Sequence, residues 1–160
     1  MTPNEFEPDL SRFIDAYRDD FERALRDIEA GRKQSHWMWY IFPQVGGLGA
    51  SAMSRRYAIG SPEDAQAFLL HPVLGVHYCE IVDAVWHQVV ERDLSIRSLF
   101  GSPDDTKLVS SLTLFAGSAS TLDSPPPVLT TFLERAGEIL EAAYAQGLAR
   151  CTTTERFLGS

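Results

Sequence analysis

The chain has 160 residues, 44% hydrophobic and 22% charged, with a formal charge of -8. That length buries roughly 70% of the surface its unfolded chain exposes, enough for one domain over 1–160, and the balance is neither disordered nor fibrous. The acidic total excludes binding of duplex nucleic acid through the general surface, because phosphate neutralisation needs a cationic face.

Residues 1–9 read as a flexible N-terminal tail without the basic and apolar segments of an export signal. A helix follows from about Leu10 to Ala30, since Phe13, Tyr17, Phe21, Leu25 and Ile28 recur at helical spacing and Gly31 stands as its C-cap. Next comes GRKQSHWMWYIFPQ, Gly31 to Gln44, which concentrates two tryptophans, a histidine, a tyrosine, two cations and a proline in one stretch. With no second strand to pair with it, this segment is expected to be irregular or a short helix. Val45 to Ala50, VGGLGA, reads as a loop able to approach a ligand or another backbone closely. Its G-G-x-G spacing does not fit a dinucleotide fingerprint.

Ser61-Pro62-Glu63-Asp64 is a helix start, with a serine cap, a first-position proline and first-turn acids, and this helix runs to about Leu70. A longer helix is predicted from about Pro72 to Arg92, and a short one from Ile96 to Phe100 that closes at Gly101. The start signal recurs at Ser102-Pro103-Asp104-Asp105 and opens a helix expected to stop at Ala116, before Gly117. Thr106, Ser110, Thr113 and Gly117 form a small-residue stripe on it, suited to close helix contact or solvation. After the loop from Ser118 to Pro127, Val128, Phe132, Ala136, Ile139 and Ala143 mark a last long helix, and CTTTERFLGS adds one capped turn. The architecture expected is all-α, roughly six helices, with little or no β-structure.

The runs GRKQSHWMWYIFPQVGGLGAS, EDAQAFLLHPVLG and LFGSPDDTKLVSSLTLFA, with the YAI at Tyr57 to Ile59, resemble the DUF1810 family of small bacterial and eukaryotic proteins. The resemblance implies a mainly helical fold with two central buried helices and no established activity. The C-terminal third matches it loosely.

The functional reading centres on the aromatic segment. Lys33, His36, Trp37, Trp39, Gln44, Gly47, Lys107 and Ser111 are the expected ligand-binding residues: cations for an anionic group, indoles for stacking, an amide and a glycine backbone for polar contact. The ligand they suit is a small anionic or nucleotide-like metabolite. His36 is the candidate acid or base should the protein be an enzyme, since imidazole titrates near neutrality. Against these stand plainer readings, with Trp37 and Trp39 as core anchors, His36 as a packing residue, and Asp104 and Asp105 as helix N-terminal charges. A third reading makes the aromatic segment an exposed anchor for a protein partner. Ser111, one turn after Lys107, has the wrong order for a Ser-x-x-Lys nucleophile. No metal set is visible among His71, His77 and His87, no cofactor is assigned, and two scattered cysteines make no disulfide framework. No stretch approaches eighteen apolar residues, so no membrane insertion is expected and the cytoplasm is the expected compartment. Oligomeric state is left open.

Overall fold

The computed structural model describes residues 9–159, so the tail expected at 1–9 lies, apart from Asp9, outside the described residues. Among these residues there are nine α-helices and no strand, and the single backbone bridge joins Val45 to Ile59 in parallel. No single helix among them is long and apolar enough to cross a membrane.

Helix α1, Ser11–Glu29, buries Phe13, Tyr17, Phe21, Ala24 and Ile28 on one stripe. Gly31 follows it with φ +86°, the left-handed position that a glycine tolerates without strain. The aromatic segment then forms one turn of helix, α2 (Met38–Ile41), tied to α1 by the Tyr17 hydroxyl, which donates to the Ile41 carbonyl at 2.7 Å. Helix α3, Ala52–Arg56, starts at Ser51, whose Oγ accepts from the Ser54 N–H. It is not evident in the periodicity, because one turn carries too few residues to show a period. Helix α4, Pro62–Leu70, has the expected cap, Ser61 Oγ accepting from Asp64 N–H at 3.1 Å.

The helix predicted from Pro72 to Arg92 begins at Leu74 and has two parts. Helix α5, Leu74–Trp86, continues into a π-helical segment, His87–Glu91, whose i to i+5 bond runs from Arg92 N–H to His87 carbonyl. His71 caps α5 from outside, its Nδ1 accepting from the N–H groups of Val73 and Leu74. The Ile96–Phe100 helix, α6, is as expected and ends at Gly101 with φ +76°.

Helix α7 runs Asp104–Ala119, and both of its expected ends need correction. Ser102 is not the cap: the helix begins at Asp104 with Pro103 in the cap position and no side-chain cap bond, and within the first turn Asp105 Oδ1 accepts the Thr106 N–H. Gly117 does not stop the helix. A Cβ there would lie 2.4 Å from Leu158 Cδ1, so the glycine admits the C-terminal helix α9, Thr152–Leu158, against the middle of the last turns of α7. Between them lies α8, Pro127–Ala145, which ends before Gly147 at φ +93°.

The two central helices are α5 and α7. Helix α7 has buried residues on all sides, including Asp105, Ser110, Ser111 and Ser118, as a helix surrounded by others must. Helices α4, α6, α8 and α9 pack around it, while α1 and α8 flank α5. The two are pinned by a hydrogen bond of 2.8 Å between the Tyr78 and Ser111 hydroxyls, both fully buried. The Tyr78 ring meets Phe42, Phe68, Phe115 and Phe132 at centroid distances of 4.6–5.9 Å, so four other elements converge on it.

Asp27, on α1, positions the aromatic segment. Its Oδ2 accepts three hydrogen bonds, from the backbone N–H groups of Gln34 (3.0 Å) and Ser35 (3.1 Å) and from Trp37 Nε1 (2.9 Å). The fully buried Trp37 indole is thereby held against Phe42 and Phe100.

Three consequences are open to measurement. Replacing Asp27 by alanine orphans three donors and lowers unfolding stability by about 2 kcal/mol in urea, with asparagine losing about half of that. Gly75→Ala places a Cβ 1.8 Å from the Leu69 carbonyl oxygen, which is backbone and cannot swing away. The loss expected there is at the upper end of the roughly 1–3 kcal/mol typical of overpacking, read in the same urea titration. Burial, foremost, raises the pKa of Tyr17 and Tyr78 above the ordinary 10.0. Their neutral form is the folded one, so this contribution is complete below pH 10 and falls as pH rises beyond it, seen as a drop in thermal midpoint.

Candidate functional site

Lys33 leaves the end of α1 and turns inward. Its N–H donates to the Leu99 carbonyl at 2.7 Å, which fastens the loop to α6. Its ammonium, only 8% exposed as a side chain, donates to the Ser35 carbonyl and pairs with Asp104 Oδ2 at 2.9 Å. The same ammonium sits 5.0 Å from the Trp37 ring centroid. Lys107, one turn along α7, approaches the other oxygen of Asp104 at 3.5 Å and lies 5.9 Å from the centroid of the half-buried Trp39. Four of the predicted residues, Lys33, Trp37, Trp39 and Lys107, are thus assembled around one carboxylate.

That carboxylate was assigned by sequence only to the helix terminus. Nothing in the spacing signals its second role, because Lys33 and Asp104 lie 71 positions apart in sequence. The neighbouring Asp105 is fully buried and faces Arg97 Nε at 3.3 Å, so the two adjacent acids serve different partners. Two lysines against Asp104 leave a local excess of one positive charge on an otherwise acidic chain.

The remaining predicted residues stand differently. Ser111 is fully buried and its hydroxyl is engaged with Tyr78, so in this conformation it presents nothing to solvent. Trp37, already placed beside Lys33, is likewise fully buried, with its Nε1 engaged by Asp27. His36 is exposed; its carbonyl accepts from the Tyr40 hydroxyl at 3.4 Å, and its ring has no hydrogen-bond partner among the described residues. Gln44 is half-buried and its carbonyl accepts the Ile59 N–H at 2.8 Å, while Gly47 is exposed with φ +91°. Among the described residues no hydrogen bond, ion pair or ring contact links His36, Gln44 or Gly47 to the lysine pair.

The other reactive side chains are tied into the fold. Burial and the nearby Asp83 charge push the Cys79 thiol up to about 11, which keeps it protonated at neutral pH. Tyr40 donates to Asp20, and its pKa is raised by burial and by that carboxylate. No three His, Cys, Asp or Glu side chains are grouped to hold a metal ion among the described residues.

Two clefts follow the seam between α1 and α5, with volumes of about 420 and 370 Å³. The larger is lined by Leu25, Glu29, Glu80 and Gln88 among others, none of them a residue that the sequence pattern assigns to a ligand site. Their spacing on two amphipathic helices reads as ordinary solvated surface, and only the packing of α1 along α5 makes a cleft of it.

No curated protein matches the chain. A conserved hypothetical protein from Mycobacterium tuberculosis, solved by crystallography, is similar to it with a TM-score of 0.75 and 40% identity, covering 90% of this chain and 93% of that one. The profile of a protein of unknown function, DUF1810, matches residues 7–142, across the aromatic segment, both central helices and most of α8. The chain belongs to the DUF1810 family.

Proposed function

We propose that the protein binds a small anionic, nucleotide-like ligand beside Trp39, with Lys107 as the group that meets its anion. The observation that carries this reading is the convergence of two ammonium groups, Lys33 and Lys107, on the single carboxylate of Asp104. One carboxylate neutralises one of them. Lys33 is the nearer and more deeply buried partner, at 2.9 Å and 8% exposed, so Lys107, at 3.5 Å and 27% exposed, is the cation available to a ligand. The half-buried indole of Trp39 beside it offers a face on which a planar base can stack.

In this reading Trp37 and Ser111 act from beneath, as parts of the wall, and Gln44 and Gly47 supply polar contacts from the loop. The ligand's anion replaces Asp104 as the partner of Lys107. No reaction is assigned, since the His36 ring has no oriented partner. An exposed aromatic anchor for a protein is not favoured either, Trp37 being fully buried.

Titration of the full chain with ADP and with inorganic pyrophosphate, followed by tryptophan fluorescence and by calorimetry, tests the proposal. A saturable response to ADP is expected, weakened at least tenfold, about 1.4 kcal/mol, in Lys107→Ala. Trp39→Phe removes most of the optical signal and also weakens ADP more than pyrophosphate, which has no base to stack. Absence of saturable binding by both ligands, or unchanged affinity in Lys107→Ala, overturns it.

A further inference from the structure

Most of the large apolar side chains are buried or half-buried, and the exceptions gather at one end of the bundle. We infer that this end is the interface of a two-fold homodimer. Among the described residues, Leu70, Val73, Val76 and Val128 are exposed by 41–57%, so about half of each remains in water. The first three lie where α4 turns into α5. Val128 joins them through the packing of α8 on α5. Phe132 meets Tyr78 and, further along both helices, Arg135 meets Asp83, so the two run in parallel. Val128 and Val76 each precede that ion pair by about two helical turns, which sets them side by side on the same flank.

The charge pattern favours a second copy as the occupant. No Asp, Glu, Lys or Arg lies between Asp64 and Glu80 or between Asp123 and Glu134, the two segments that carry these residues. On a chain of net charge -8, this is a surface on which another copy can approach without setting acid against acid. The two histidines within it are already engaged. His71 Nδ1 caps α5, and His77 Nδ1 donates to the Val73 carbonyl at 2.7 Å.

The face also carries its own complement. Val73 borders the smaller cleft, about 370 Å³, which opens between Ile14, Tyr17 and Phe21 of α1 and His77 of α5. The charged residues of its α1 rim are Arg18 and Glu22, both exposed and one turn apart. A two-fold axis passing between them sets each Arg18 against Glu22 of the second copy. The same operation lays Val73 and Val76 of each copy over the cleft of the other, so projection, hollow and opposite charges match within one patch. Arg18 already touches Asp15 at 3.1 Å and Asp19 at 3.8 Å, but its side chain is 68% exposed, and such surface pairs are weak enough to be exchanged. An unrelated partner needs a matching hollow and charge pair of its own, whereas a second copy brings both.

Sedimentation equilibrium of the full chain across a dilution series tests the assignment. The mass is expected to reach twice the 17.8 kDa of the chain, with half-association below about 100 µM. Val76→Asp and Val128→Asp each weaken association at least tenfold with the far-ultraviolet circular dichroism of the native chain. Ala145→Asp, at the far end of α8, adds the same charge and leaves association unchanged. Arg18→Glu weakens the dimer by placing acid against Glu22 of the second copy, and Arg18→Glu combined with Glu22→Arg restores it. A monomer at the top of the series overturns the proposal, as does a dimer indifferent to Val76→Asp and Val128→Asp. An equal loss in Ala145→Asp or failure of the charge swap to restore association also overturns it. Binding of a monomer to phosphatidylcholine vesicles, lost in Val76→Asp, assigns the face to lipid instead.

Discussion

The arrangement of this fold around its candidate site depends on one carboxylate, Asp27, that accepts three N–H donors from a segment seven to ten residues further along. Without it, the loop after α1 has polar backbone groups and a buried indole nitrogen to satisfy and no regular structure in which to do so. With it, the chain reverses within a few residues and Trp37 enters the core rather than the solvent. Lys33 is then carried inward to its contacts with Leu99 and Asp104. The site is thus a consequence of a turn, and the turn is a consequence of an acid on the polar flank of α1.

The second constraint is how the central helices are joined to each other and to their neighbours. Helices α5 and α7 exchange a tyrosine–serine hydrogen bond inside an otherwise aromatic core, and glycines allow their neighbours to approach: Gly75 where α4 reaches α5, Gly117 where α9 reaches α7. The same residue type plays a different part at Gly31, Gly101 and Gly147, which hold positive φ and end helices. Ser111 belongs to this constraint. A hydroxyl buried in such a core stays only because it is paired, so its partner Tyr78 is as much a condition of the fold as the rings around it.

Much of this was legible in the sequence. The stripe of α1 and the serine cap of α4 are strong because each rests on interactions within a few residues, and the all-helical class follows from them. Gly117 misled for a physical reason: a glycine after an apolar stripe has the same appearance whether it ends a helix or admits another, and Leu158, which decides the matter, lies 41 positions away in sequence. The π-helical turn at His87–Glu91 was likewise hidden, since a single i to i+5 bond leaves no mark in the apolar spacing. At the site, the lysines and indoles were recognisable by type. Their meeting at Asp104 was not, because a long-range ion pair leaves no periodic trace.

The distribution of charge gives these pieces a common logic. A chain of net charge -8 repels anions at long range, but in physiological salt that field is screened within about 8 Å. An anionic ligand is therefore governed by contact, and a contact site on such a protein needs a cation that its own acids do not fully consume. Lys33 meets half of that requirement by occupying Asp104 from the buried side, which leaves Lys107 the weaker hold on the same carboxylate. The seam of α1 and α5 presents the converse case: Arg135 occupies Asp83, while Glu29 and Glu80 have no ion pair among the described residues. In both places an internal ion pair decides which neighbouring charge remains available. The fold's own electrostatics, more than its net charge, thus set the sign of what each surface can take.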